Sequence, residues 1–321
     1  MYLRKAVICI LLTTACLAAG GQDTWYGAMS GLHLMYNPAF AGSSGEGTMR
    51  ISCYSFLPGA GFGLRSVYAS YDDYSEKLHG GAGVWISDDM MGEVMNDMRT
   101  GLTYAYHLKA GRELYFNAGL TASLVYRGIN RGAVTFPDDY DPFGGIISPP
   151  SETITDAGNM LFDTGTGISF SSGSWYGGLS VMHLTQPYLS TNQHKDNRLF
   201  RLYTLNAGTI FHIGHNDLDL CPAASLFVQD RNMIVYLGTV ASMRELSFGL
   251  AVWHVTSGFA AAESSVGWDS GSTTITISYS YNILGGGEAV MGTAVVRAGL
   301  SISFNNVEKR KAIHVIKLPE L

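Results

Sequence analysis

The sequence repeatedly alternates apolar residues with small or polar ones, and no long apolar helix follows its first twenty residues. The alternation covers 274–281 and 296–304, and it is longest over 112–126. There one face carries Leu114, Phe116, Ala118, Leu120, Ala122, Leu124 and Tyr126, and the other carries Tyr115, Asn117, Gly119, Thr121 and Ser123. A period of two residues is the period of a β-strand. An apolar outer face and a polar inner face are typical of a barrel in lipid.

The first 21 residues predict a secretory signal peptide. Two basic residues precede the apolar run 6–12, and small residues follow within 15–21. This order is that of a cleaved export signal, and we expect cleavage to leave Gln22 as the mature N-terminus. A lipoprotein signal ending at Cys16 stays open as a less favoured alternative.

Without a further apolar stretch of about 18 residues, an exported chain cannot cross a membrane as a helix. A closed barrel is the remaining fold that spans a membrane. The composition is consistent with a barrel, with 39 glycines, 12% aromatic residues and only 14% charged residues. The net charge of -6 argues against nucleic acid as a partner, because phosphates favour a basic surface. We expect Cys53 and Cys221 to be buried thiols, with a single disulfide as the less favoured alternative.

The alternation divides the mature chain into about fourteen strands. The predicted strands are 46–56, 62–72, 78–88, 95–108, 112–127, 160–171, 174–184, 199–213, 217–229, 232–242, 245–255, 259–267, 272–283 and 291–304. The twelfth alternates weakly, but bacterial single-chain barrels have an even number of strands. The even count therefore favours including it.

The connection lengths predict how the strands lie in a membrane. Outer-membrane barrels have short periplasmic turns and longer outer loops. The connections after predicted strands 4, 6, 8 and 10 are tight, whereas the two longest, 128–159 and 185–198, follow strands 5 and 7. We therefore predict an all-β fold, a transmembrane antiparallel β-barrel over 46–304 with both termini in the periplasm. Residues 22–45 then form a periplasmic N-terminal segment, and 305–321 form a basic periplasmic tail.

Before the first strand, residues 37–42 read Asn-Pro-Ala-Phe-Ala-Gly and predict a turn. Asn-Pro starts a turn, proline fixes one backbone dihedral, and a following glycine closes the bend. An ordered turn that leads into the barrel would fully explain these residues.

The hexapeptide also resembles the opening motif of the PorP/SprF family of Bacteroidota outer-membrane proteins. The residues that carry the resemblance are Asn37, Pro38, Ala39, Phe40, Ala41 and Gly42. A signal that ends near Asp23 and amphipathic strands that run to Phe304 match the family layout. Two features depart from it: Thr24 replaces the usual proline after Gln-Asp, and 305–321 continue past the last aromatic.

The resemblance implies a component of the type IX secretion system, or of gliding machinery in some members. Such a barrel binds or anchors secreted cargo with C-terminal sorting domains at the cell surface. The implied partners are this cargo, periplasmic or outer-membrane secretion components, and outer-membrane lipid. The alternative is a porin-like channel or a channel for hydrophobic compounds. The predicted inward positions are mostly Gly, Ser, Thr and Asn with few charges, which does not favour an ion-selective pore.

No local motif of a hydrolase or a nucleotide enzyme is present, and we expect no catalytic residue, cofactor or metal. Ser180 with His183 or His254 stays open as a catalytic group assembled from separate strands, although barrel-wall positions explain all three. A polar hairpin is likewise favoured over a metal site for His212, His215, Asp217 and Asp219.

Two segments are candidates for contact with partner proteins. The longest outer loop combines carboxylates with aromatic and proline residues, which suits a protein-contacting lid or an ordered cap. A calcium site is less favoured there, because the loop lacks the order of a calcium-binding loop. The basic tail could be disordered, plug the lumen or dock a periplasmic component. The candidate residues are Asp138, Asp139, Tyr140, Asp141, Phe143, Lys309, Arg310 and Lys311.

Overall fold

A computed structural model describes residues 23, 26, 31–56, 63–130, 140–141, 145–146, 158–189, 198–214, 218–256, 258–284 and 294–304. Almost all regular structure in these residues is antiparallel β-sheet. The strands are β1 (Thr48–Phe56), β2 (Leu64–Ser75), β3 (Gly80–Met91), β4 (Met95–Lys109), β5 (Leu114–Ile129), β6 (Tyr140–Asp141), β7 (Gly145–Ile146), β8 (Asn159–Ser172), β9 (Trp175–Met182), β10 (Leu202–Thr209), β11 (Phe211–Ile213), β12 (Leu218–Gln229), β13 (Asn232–Met243), β14 (Leu246–Val255), β15 (Phe259–Asp269), β16 (Thr273–Leu284) and β17 (Ala294–Ser303).

The main sheet closes on itself. Strands that follow one another in this sheet are paired, with β5 next to β8 and with β10 and β11 both next to β12. The first strand, β1, pairs with both β2 and β17, so that Thr48 lies opposite Asp72 and Ser303. The pairing of β10 with β12 completes the ring. Fifteen strands form this sheet, and because β10 and β11 are two halves of one strand interrupted at Ile210, the barrel has fourteen. The predicted fourteen-stranded antiparallel barrel is confirmed, including its weak twelfth strand, which is β15.

The two faces of each strand differ as the alternation predicts. On β5, Leu120 is 64% exposed, whereas inward-facing Asn117 is 5% exposed. An apolar surface of this extent on the outside of a closed barrel is a surface for lipid. The inward face is polar and largely buried, which means that other atoms fill the lumen beside it.

The two rims of the barrel differ in the length of their connections. The long-loop end carries the connections 130–158 and 183–201. The tight-turn end carries the short connections that precede β5 and β9 and the one between β13 and β14. The chain enters β1 and leaves β17 at the tight-turn end.

Few other elements are present in the described residues. One helical turn, α1 (His33–Tyr36), and 3-10 turns at Pro38–Phe40 and Glu76–Leu78 accompany the barrel. Strands β6 and β7 form a separate two-stranded hairpin. None of the helical turns in the described part of the chain is long and apolar enough to cross a membrane.

Cys53 and Cys221, the cysteines of the described residues, are both free, but only Cys221 is buried. Cys53 is exposed, and the expectation that both thiols are buried is wrong for this residue. The reason is its place in β1, where it alternates with inward Ser52 and Tyr54 and so faces outward.

The barrel interior contains more charge than the sequence predicted. Arg50 and Asp72 are buried and joined at 2.7 Å. Arg297 of β17 lies 3.5 Å from Glu263 of β15, on the opposite side of β16. Buried charges of this kind are tolerated when they are paired. The prediction of few inward charges is therefore wrong, because partners that are distant in sequence neutralise one another inside the lumen.

Candidate functional site

Residues 31–45 run through the interior of the barrel. Asn37, Ala39 and Phe40 are each 0% exposed, and the 3-10 turn that contains the last two contacts β4, β5 and β8. We call 31–45, together with Asp23 and Tyr26, the luminal segment. The prediction of a periplasmic N-terminal segment over 22–45 did not include this position inside the barrel, where the described residues of the segment lie. The physical reason is that the polar inward walls provide partners for the backbone of this segment.

Asn37 begins the hexapeptide and fixes its fold. Its side-chain Oδ1 accepts a hydrogen bond from the backbone N–H of Ala39 at 3.0 Å, and its Nδ2 donates to the carbonyl of Ile168 in β8 at 3.2 Å. The first bond caps the 3-10 turn that Pro38 starts. The second ties that turn to the wall, so that one side chain sets both the local shape and its position in the lumen.

Glycines in the wall make room for the hexapeptide. An added Cβ would lie 2.0 Å from the carbonyl oxygen of Ala41 at Gly81, 2.4 Å from the backbone nitrogen of Ala39 at Gly119, and 2.1 Å from Asn37 Oδ1 at Gly167. These glycines belong to β3, β5 and β8. The absence of side chains lets two backbones approach closely. Together with Gly178 on β9, they form what we call the glycine groove.

Wall side chains satisfy the backbone carbonyls of the luminal segment. Ser180 Oγ donates to the carbonyl of Tyr36 at 2.6 Å, and Ser169 Oγ donates to that of Ala39 at 3.2 Å. His107 Nε2 donates to the carbonyl of Ala41 at 2.8 Å. An unpaired buried carbonyl would be costly, so these three donors stabilise a segment that forms no sheet ladder of its own.

Gly42 closes the hexapeptide against a buried ion pair. Its backbone has φ +70°, a conformation that favours glycine, and its N–H donates to Asp72 Oδ2 at 2.7 Å. The other oxygen of Asp72 accepts from Arg50 Nη1, and Arg50 Nη2 reaches Ser44 Oγ at 2.9 Å. The end of the motif is thus bonded to β1 and β2, where the chain enters the barrel.

Apolar residues of α1 and its flanks form the core of the lumen. Leu32 and Leu34 are fully buried, and the ring of Tyr36 packs edge-on against Phe227 of β12 with centroids 5.0 Å apart. Trp85 of β3 belongs to the same cluster. The luminal segment therefore contacts walls on both sides of the barrel.

A second polar cluster lies at the long-loop end and centres on Asp23. Arg99 Nη1 donates to one carboxylate oxygen at 2.6 Å, and His183 Nε2 and Gln229 Nε2 donate to the other at 2.6 and 3.0 Å. His183 Nδ1 also donates to Asp163 at 2.6 Å. Both nitrogens of His183 thus face carboxylates, the pattern of a charged imidazolium. This cluster holds the beginning of the luminal segment.

The structure separates the predicted candidates. It brings the six motif residues together in the lumen and places Tyr140 and Asp141 in the β6–β7 hairpin. The remaining partner-contact candidates, Asp138, Asp139, Phe143, Lys309, Arg310 and Lys311, lie outside the described residues.

The structure does not bring Ser180 together with His183 or His254 as the catalytic alternative requires. Ser180 is bonded to the luminal segment, and both nitrogens of His183 are bonded to carboxylates. His254 lies on the outward face of β14. His212 pairs with Asp219 on the surface, and the described part of the chain contains no group of three or more side chains arranged to hold a metal ion.

Sequence reasoning missed Asp23, Asp72 and Arg99 as site residues. A usable signal was present, because Asp97 and Arg99 occupy alternate positions of β4 on either side of Met98, which faces outward. Charges at such positions must point inward in a membrane barrel. Their partners lie far along the chain and carry no local pattern.

Comparison with known proteins agrees with this fold. The model of a family described as "Type IX secretion system membrane protein PorP/SprF" matches residues 18–296. No curated protein matches the sequence. Similar solved structures include the P. putida toluene transporter TodX, with 12% identity over 89% of this chain and 97% of that one and a TM-score of 0.54. Another is the CymD monoaromatic hydrocarbon channel, with 13% identity over 93% and 96% and a TM-score of 0.53.

A P. aeruginosa FadL homologue has 12% identity over 89% of this chain and all of that one, with a TM-score of 0.50. At such low identities these likenesses show the fold alone. The fold and the family match together place the protein in the outer membrane.

Proposed function

The chain belongs to the PorP/SprF family of type IX secretion system membrane proteins, and from this premise we propose that it is a non-enzymatic anchor within that system. The barrel binds secreted cargo with C-terminal sorting domains at the cell surface and contacts other secretion components. Both chain ends lie in the periplasm, and the long-loop end faces outward. Outer-membrane lipid surrounds the apolar outer face.

One observation carries this proposal: the luminal segment occupies the interior of the barrel. Its motif is completely buried, and it is bonded to inward side chains of β2, β4, β8 and β9. Because the luminal segment is held in place inside the barrel, the protein is better suited to bind partners at its surfaces than to conduct solutes through an open pore. The tight contacts at the glycine groove argue against a loosely held segment.

Two surfaces are left for partners. In the proposed orientation, the long outer connection with Asp138, Asp139, Tyr140, Asp141 and Phe143 faces the surface cargo. The basic tail with Lys309, Arg310 and Lys311 faces the periplasm and its secretion components. Long loops on a rigid scaffold are where binding residues concentrate in folded proteins.

The alternative is a channel for hydrophobic compounds. It is favoured by the likeness to barrels described as a toluene transporter and a monoaromatic hydrocarbon channel. The identities of 12% and 13% do not carry those substrates to this chain. The filled lumen favours the anchoring role.

Crosslinking and affinity purification from native membranes test the anchoring role. We expect the full-length protein to co-purify secretion components and a surface protein, and a variant lacking 305–321 to lose the periplasmic partners but retain the cargo. A matched variant in which Lys309, Arg310 and Lys311 are replaced by Gln separates the effect of charge from that of length. If neither a secretion component nor a surface protein is recovered with any form, the proposed function is wrong.

A further inference from the structure

The cluster around Asp23 has the features of a preformed binding site for a carboxylate. The three donors, Arg99, His183 and Gln229, come from β4, the residue after β9, and the last residue of β12. Their target, the Asp23 side chain, is 8% exposed. The backbone N–H of Asp23 also donates to Gln229 Oε1 at 2.8 Å. Gln229 therefore recognises both the side chain and the backbone of the bound segment.

Each donor is held in place by a group outside the bound segment. Arg99 Nη2 lies 3.3 Å from Asp97, which also bonds Arg127. His183 is oriented by Asp163, whose other oxygen accepts from Thr185 at 2.7 Å. Gln229 Nε2 also donates to the carbonyl of Phe200 at 3.1 Å. The wall and the connection 183–201 thus orient the three donors, as a preorganised site requires.

A second contact lies three residues along the bound segment. The Tyr26 hydroxyl donates to Asp89 Oδ1, and the Tyr26 ring packs against Tyr54 with centroids 5.0 Å apart. The site therefore has one position for a carboxylate and another for a phenol. A cavity of about 20 Å³, lined in part by Asp23, Arg99 and His183, lies beside the carboxylate. This is room for about one water molecule, so the carboxylate is recognised mainly by polar contacts.

We propose that the long-loop end of the lumen is a receptor for a peptide that presents an Asp carboxylate and, three residues later, a Tyr hydroxyl. In this structure the chain's own Asp23 and Tyr26 occupy the receptor. A segment of the same chemistry from a partner protein binds there in their place. This binding site goes beyond the anchoring role and does not depend on it.

The test uses a labelled peptide with the sequence of residues 22–30, Gln-Asp-Thr-Trp-Tyr-Gly-Ala-Met-Ser, and the full-length protein in detergent. Asp23→Ala removes the carboxylate of the internal ligand and leaves the three donors in place for the carboxylate of the peptide, while Tyr26 keeps the phenol position. Fluorescence anisotropy is expected to show at least ~10-fold tighter peptide binding to Asp23→Ala than to the unaltered protein, since charge-assisted hydrogen bonds contribute about 1.5–3 kcal/mol. Changing Asp to Asn in the peptide is expected to remove most of this gain.

Two further variants serve as controls for this binding experiment. Asp219→Ala removes a surface carboxylate paired with His212 and is expected to bind the peptide no better than the unaltered protein. Asp23→Asn keeps the shape of the side chain and serves if Asp23→Ala does not fold, as judged by circular dichroism and heat-modifiable gel mobility. If a folded Asp23 variant binds the peptide no better than the unaltered protein, Asp23 is only a structural residue and the receptor proposal is overturned.

Discussion

Gly119 shows how one residue of the wall determines what the lumen can hold. A Cβ at this position would lie 2.4 Å from the backbone nitrogen of Ala39 and from the carbonyl carbon of Pro38. Both clashes are with backbone, which cannot move aside as a flexible side chain can. The same logic applies to Gly81, where the clash would be with the carbonyl of Ala41. At these positions glycine is needed for close approach rather than for a turn.

Gly119→Ala is expected to destabilise the folded barrel by about 1–3 kcal/mol, the usual cost of overpacking a filled interior. The measurement is the urea midpoint of unfolding in detergent, followed by tryptophan fluorescence. Gly63→Ala is the matched control, because an added Cβ there has no atom within 4 Å. Equal midpoints for the two variants would mean that the luminal segment does not pack against β5.

At the scale of the element, β4 shows how a strand serves lipid and lumen at once. Its inward positions carry Asp97, Arg99 and Thr103, which bond to one another, to the neighbouring strand β5 or to Asp23 of the luminal segment. Its outward positions include Leu102, 68% exposed near the middle of the strand, and Leu108, 50% exposed near the tight-turn end. The membrane is the reason that such leucines remain on the surface.

Replacing Leu102 or Leu108 by arginine is expected to lower the stability of the barrel by different amounts. On the lipid face of a barrel it costs about 2–4 kcal/mol at the bilayer midplane and about 0–1 kcal/mol near the interface. Leu102→Arg is therefore expected to lower the stability in lipid vesicles much more than Leu108→Arg. Chemical unfolding from vesicles measures both. A larger loss for Leu108→Arg would contradict the outward lipid face and depth assigned to β4.

Strands of this kind are predictable from sequence because a two-residue period and tight turns are local signals. Fourteen strands could be identified that way, and even β15 followed from the even count. The location of the hexapeptide could not, because it depends on Gly81, Gly119 and Gly167, which are widely separated in sequence and resemble ordinary wall glycines. The hexapeptide could be recognised as a motif, but its glycine groove exists only after the barrel closes.

The same limit applies to the charged cluster. Asp23 bonds Arg99, His183 and Gln229, and no spacing in the sequence connects these four residues. Their pairing follows from the register of β4, β9 and β12 around the ring. The wall of this protein is therefore easier to predict from sequence than the contacts that the wall encloses.

At the scale of the whole molecule, the chain builds a barrel and fills part of it with its own N-terminal residues. Asp23 and Tyr26 are bonded at the long-loop end, and Gly42 is bonded to Asp72 on the strand next to β1 at the tight-turn end. The luminal segment thus spans the barrel from one end to the other. This filled interior supports the proposed anchoring role, in which partners bind at the rims of the barrel.

Single-channel recording of the purified full-length protein in planar lipid bilayers tests this account most directly. Because the luminal segment is bonded to the wall at both ends and packed in the glycine groove, we predict no stable open level across the tested voltages. A porin of similar strand number, recorded under the same conditions, shows that insertion and detection work. A steady, reproducible open conductance from the folded protein would contradict the closed lumen and favour the channel alternative.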